Sequence, residues 1–211
     1  MSQIKAIIFD MDGVLIDAKE WHFEALNRAL TLFGMAISRY DHLVTYDGLP
    51  TKTKLRMLSM ERGLPEALHG FINEMKQIYT MEVIYAKCKP VFQHQFALSR
   101  LKAQGYRMAV CSNSIRQTIA LMMERAELLP FLDFFLSNED VVAPKPAPDM
   151  YNEAIRRMGL KPEECLIVED NPNGIKAARD SGAHVLCVND VREVNHANIM
   201  HKIAELEAAH A

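Results

Sequence analysis

Five short, continuously apolar runs punctuate the chain, at 6–9, 108–111, 134–136, 166–168 and 185–188. A strand covered on both faces loses the in–out alternation of a half-exposed one, so runs of this kind predict buried parallel strands. Between the later runs lie segments with apolar residues at helical spacing, at 115–126, 149–158 and 174–181. Gly159 and Gly182 follow the second and third of these segments, where helix C-termini favour glycine. Alternating strand and helix predicts an α/β fold built on a doubly wound parallel sheet.

The alternation breaks once, between the runs at 6–9 and 108–111, a gap far longer than one crossover helix needs. Most of the gap reads as helix. Leu26, Ala29, Leu30 and Phe33 repeat at i, i+3, i+4 and i+7, and similar stretches run over 52–62 and 68–84. Gly48-Leu49-Pro50 and Gly63-Leu64-Pro65 interrupt them. The pattern predicts a helical module inserted at 16–87 into a core made of 1–15 and 88–211, with a further helix at 92–104 leading back to the sheet. The segment 195–211, with His196, His201 and His210, lacks metal-ligand spacing and reads as a surface helix plus tail.

Composition narrows the function classes. Lys and Arg number 24 against 27 Asp and Glu, a net charge of −3, which removes the electrostatic case for nucleic acid. With 49% hydrophobic residues and no apolar run near the roughly 20 residues of a membrane span, a globular chain without membrane contact is expected. The N-terminal apolar stretch is too short for a signal peptide. Cys88, Cys111, Cys165 and Cys187 are scattered without CxxC spacing, and three of them sit in apolar runs as small hydrophobes. The expectation is a reduced, cytoplasmic protein, monomeric or weakly self-associating.

Ligands of open α/β sheets bind at the carboxyl ends of strands, so the residues just past each run carry the chemistry. The first run leads into Asp10-Met11-Asp12-Gly13, the second into Ser112-Asn113, and the fourth into Glu169-Asp170-Asn171. The third is followed by Asn138-Glu139-Asp140 and then Lys145-Pro146. Taken singly, an Asp after a strand is a turn or cap residue, Ser112 an N-cap and Lys145 a solvated charge. Together they bring several carboxylates, a hydroxyl and a lysine to one sheet edge. Crowded carboxylates raise one another's pKa unless a cation neutralises them, and Mg²⁺ is the hard ion suited to oxygen ligands and substrate phosphate.

In order and separation, Asp10-Met11-Asp12-Gly13-Val14-Leu15, Ser112-Asn113, Lys145-Pro146 and Glu169-Asp170-Asn171-x-x-Gly174-Ile175 resemble the four motifs of the haloacid dehalogenase superfamily. The likeness spans residues 4–188. It implies a Rossmann-like core with an inserted helical cap and is nearest to the phosphatase and β-phosphoglucomutase branch. By that resemblance Asp10 is the nucleophile and Asp12 the general acid–base. Ser112, Asn113 and Lys145 bind phosphate, and Asp10, the Asp12 carbonyl, Glu169 and Asp170 hold Mg²⁺. His22, Thr51, Lys52 and Lys76 are the cap residues nominated to meet the rest of the substrate.

An acid–base carboxylate at Asp12 suits phosphate monoesters and argues against C–Cl displacement. The expected activity is hydrolysis of a small phosphate ester, a sugar or polyol phosphate, through an aspartyl-phosphate. The alternative is a sugar phosphomutase of the β-phosphoglucomutase kind. His22 matches a histidine of that mutase, whereas the position of its cap arginine is Thr51 here, with Lys52 beside it. A non-catalytic binding protein on the same fold is the third reading, disfavoured because Asp10, Asp12, Lys145 and Asp170 are all present.

Overall fold

The computed structural model describes residues 3–209. The chain forms two compact units, one joining the segment up to Asp17 with the segment from Lys89 onward, the other running Ala18–Cys88. Ile16 and Asp17 stay with the sheet unit because the Gly13 N–H donates to the Ile16 carbonyl (2.7 Å), closing the turn after the first strand.

The Ala18–Cys88 unit is helical: α1 (Lys19–Thr31), α2 (Arg39–Asp41), α3 (Thr51–Arg62) and α4 (His69–Lys87), with a π-helical turn at His42–Tyr46. The sequence pattern missed that turn and α2, which are too short to show a period. Leu26, Ala29 and Leu30 of α1 pack with Ile37, Tyr46, Leu55, Leu58, Leu64 and Ile72 into a core of the unit's own. Phe33, expected on the same stripe, does not join it. The helix ends at Thr31 and Gly34 turns the chain at φ 69°, leaving Phe33 exposed with its ring edge-on to Phe71.

The sheet unit has five parallel strands in the order β3-β2-β1-β4-β5, with β1 Ala6–Phe9, β2 Arg107–Cys111, β3 Phe134–Leu136, β4 Cys165–Glu169 and β5 His184–Cys187. Its helices are α5 (Phe92–Ala103), α6 (Arg116–Arg125), α7 (Asp149–Met158), α8 (Pro172–Asp180) and α9 (His196–Ala209). Side chains alternate across a strand. Ala6 and Ile8, Ala109 and Cys111, Cys165 and Ile167 therefore share one face, where they pack with Met150, Tyr151, Ala154 and Ile155 of α7 and Ala177 and Ala178 of α8. α9 is more than a surface helix: Ile199 and Ile203 are buried and it packs on α5. His210 and Ala211 of the expected tail lie outside the described residues.

The expected α/β fold with a doubly wound parallel sheet is the fold found. Cys88, Cys111 and Cys165 are buried thiols and Cys187 an exposed one. Among the described residues no helix is long and apolar enough to cross a membrane.

Candidate active site

β1 lies at the centre of the sheet, between β2 and β4, where the chain's winding direction changes. At such a switch point the strand ends diverge and leave a crevice. Asp10 is the first residue beyond β1, and its N–H still donates to the Val168 carbonyl (3.0 Å), so the strand ladder fixes its place. The chain then turns. The Met11 carbonyl accepts from the N–H groups of Val14, Leu15 and Ile16, and Gly13 takes φ 94°, a value costly for a residue with a Cβ. The half-buried Asp12 carboxylate accepts from Ser114 Oγ at 3.3 Å.

Lys145 is the hub. Its buried ammonium donates to Asp10 Oδ1 (2.7 Å), Glu169 Oε1 (2.7 Å) and the Cys111 carbonyl (2.8 Å), using all three of its protons. The ends of β1, β2 and β4 are thereby tied to one charge. Burial opposes that charge, yet the Asp10 and Glu169 carboxylates outweigh it and hold the lysine pKa above its ordinary value. Asp10 is pushed well above the usual carboxylate range, first by burial and then, against the pull of Lys145, by Glu169, Asp170 and Asp12.

Asn113 and Ser112 play different parts. The Asn113 amide Nδ2 donates to the Lys145 carbonyl and its Oδ1 accepts from the Lys145 N–H, both at 3.0 Å. The amide thus holds the main chain of the lysine loop. Ser112 is buried and its Oγ accepts from the Ser114 N–H (3.1 Å), which leaves its proton to donate elsewhere.

Asp10, Glu169 and Asp170 each place an oxygen within 4.8 Å of the others. A donor set made only of carboxylate oxygens suits a hard divalent cation, which would relieve both the burial and the neighbouring carboxylate charges that raise the Asp10 pKa. The residues present therefore fit Mg²⁺. Glu169 is the least available of the three. Oε1 accepts from Lys145 and from the Tyr151 hydroxyl (2.7 Å), and Oε2 from the N–H groups of Asp170 (3.0 Å) and Asn171 (3.2 Å).

With this geometry established, comparison with known proteins identifies the family. A family model for haloacid dehalogenase-like hydrolases matches residues 7–188. The chain belongs to that family. It is 26% identical over 182 residues to a phosphorylated carbohydrates phosphatase of Thermotoga maritima, covering 85% of this chain and 82% of the relative. It is 27% identical over 200 residues to a phosphoglycolate phosphatase of Nitrosospira multiformis, covering 90% and 87%. Among solved structures it resembles β-phosphoglucomutase of Clostridium difficile, with a TM-score of 0.83 at 19% identity, over 98% of this chain and all of that one. At that identity the likeness speaks for the fold.

In the helical unit, His22 of α1 and Lys76 of α4 come together, with Nδ1 3.5 Å from Nζ. Thr51 is the half-buried first residue of α3, and Lys52 beside it is exposed. The lysine of α3 that is buried is Lys54, which the sequence reading passed over although it shares the face of Leu55 and Leu58. Lys54 acts on His42, a buried histidine whose Nε2 meets the Lys19 carbonyl at 3.1 Å. A carbonyl accepts only, so Nε2 carries the proton. Burial, reinforced by Lys54, lowers the His42 pKa to about 4 and keeps the ring neutral near pH 7.

Tyr151 is the residue of the sheet unit that sequence reasoning missed. It lies within the segment 149–158 predicted as helix, and its ring belongs to the core.

Proposed function

We propose that this chain is a Mg²⁺-dependent phosphatase of small phosphorylated metabolites, of the sugar or polyol phosphate class, acting through an aspartyl-phosphate. The observation that carries the reading is Asp10 at the sheet's switch point, held at 2.7 Å by a buried lysine and flanked by Asp170 and Glu169. The name of the Thermotoga maritima relative supports the substrate class.

In this reading the free oxygen of Asp10 attacks phosphorus as the ester oxygen leaves. Asp12 protonates the leaving oxygen and later takes a proton from the water that hydrolyses the acyl-phosphate. Lys145 supplies a fixed positive charge beside the phosphoryl oxygens and the Ser112 hydroxyl donates to them, meeting the main demands of this chemistry, charge neutralisation and positioning. Mg²⁺ when bound would be held by Asp10 and Asp170, with the Asp12 carbonyl, and supplies further charge neutralisation for the phosphoryl group. Glu169 serves as the anchor of Lys145, since its acceptor positions are committed. His22, Lys54 and Lys76 are the groups of the helical unit proposed to recognise the part of the substrate away from phosphorus.

The test is phosphate release across sugar, polyol and nucleotide monophosphates with Mg²⁺, for the wild type and Asp10→Asn. Release by the wild type and its loss in Asp10→Asn are expected, because an amide is no nucleophile toward phosphorus. Undiminished release by Asp10→Asn overturns the assignment. An isomerised sugar phosphate without free phosphate identifies a mutase instead.

A further inference from the structure

Tyr151 is fully buried on α7, and its hydroxyl donates to Glu169 Oε1 at 2.7 Å, the same oxygen that holds Lys145. Its ring also lies beneath the lysine, with Nζ 4.6 Å from the centroid. Phenylalanine would fill the same volume, so packing alone gives no reason for the phenol. The hydroxyl acts on Glu169 in two ways. It shares the charge on Oε1, so Glu169 grips Lys145 less exclusively and the ammonium remains divided between Glu169 and Asp10. With the Asp170 and Asn171 N–H groups on Oε2, it also completes a four-point hold that keeps the carboxylate from swinging out of place.

We propose that Tyr151 is a positioning residue for the phosphoryl site, its hydroxyl setting Lys145 through Glu169 at the place where the lysine serves both Asp10 and the bound oxyanion. The proposal rests on the phosphatase reading for the role of Lys145, while the contacts stand independently of it.

The experiment uses Tyr151→Phe, which keeps the ring and removes one oxygen. Calorimetric titration of the Mg²⁺-loaded protein with orthovanadate, a mimic of phosphoryl in transfer, measures affinity and the number of sites together. A hydrogen bond to a charged group is strong enough for a loss of about 10-fold in affinity, with kcat falling alike and KM little changed. A purely structural role would lower the melting temperature or the fraction of sites, and would leave the affinity of the remaining sites alone. If the effect runs through the lysine, Tyr151→Phe adds nothing in a Lys145→Ala background. Should Lys145→Ala not fold, the affinity of Tyr151→Phe at full stoichiometry decides by itself. Wild-type affinity in Tyr151→Phe, or an equal loss with and without Lys145, overturns the proposal. A wild type that binds vanadate but hydrolyses no ester refutes the phosphatase reading, and the Tyr151 effect is still read from binding. A wild type that binds no vanadate refutes both.

Discussion

Gly174 gives the most demanding prediction. Its backbone is ordinary helix, so alanine there costs no strain and would gain about 1 kcal/mol of helix propensity. A Cβ on Gly174, however, falls under 3.0 Å from all three atoms of the Glu169 carboxylate, Oε1, Cδ and Oε2. The carboxylate occupies the space of the missing side chain and cannot shift slightly, because four donors hold it. It must leave. Depriving a buried ion pair of one partner costs about 3–5 kcal/mol, so Gly174→Ala should be net destabilising by about 2–4 kcal/mol. For a chain of this size that lowers the melting temperature by roughly 5–15 °C. Phosphate release should collapse as well, because Lys145 loses its anchor. Gly70→Ala in α4 is the control, with nothing within 4 Å of its Cβ, and should melt at or slightly above the wild type. Calorimetry and phosphate release on both variants check the argument. A Gly174→Ala protein as stable and active as the wild type would refute it.

Removal of divalent metal by EDTA should stop turnover and Mg²⁺ should restore it, whereas Ca²⁺, with longer bonds and more ligands, should support little; full turnover in EDTA would contradict the proposed metal site. Lys54→Ala should lower kcat/KM strongly for the best substrate and little for p-nitrophenyl phosphate, which offers few groups beyond phosphate, while the exposed Lys52→Ala should change neither by more than about 2-fold. His42 binds a proton near pH 6.5 when unfolded and only near pH 4 when folded, so the unfolded state gains the extra proton as pH falls between those values. Stability should therefore drop through that window by about 1.4 kcal/mol per pH unit. His42→Gln, which keeps a donor for the Lys19 carbonyl, should flatten the drop; equal slopes in acid melts would exclude His42 as the cause.

The sheet was legible because its strands are buried on both faces and read as unbroken apolar runs, and the edge residues were legible because ligands of such sheets gather at strand ends. That reasoning brought Asp10, Lys145, Glu169 and Asp170 forward, and the structure clusters them. Contacts set by three-dimensional register were not legible. Nothing local tells that the Tyr151 hydroxyl meets the acid at the end of β4, or that the Asn113 amide turns toward the Lys145 main chain. Lys54 was within reach of the pattern, since it lies one turn before Leu58 on the buried face of α3, but a lysine there reads first as a solvated charge. Glycines following helical segments gave sound boundaries, whereas the motif position of Gly174 gave no reason for a glycine, which the Glu169 carboxylate in the place of its side chain supplies.

The central claim is that Asp10 carries the phosphoryl group. Acid-quenching the Mg²⁺-loaded enzyme during turnover of its best substrate, followed by digestion and mass spectrometry, tests it directly. A phosphorylated, hydroxylamine-sensitive peptide containing Asp10 is expected from the wild type and none from Asp10→Asn. Phosphate release with no label on that peptide at any quench time, or label on another residue, would contradict it.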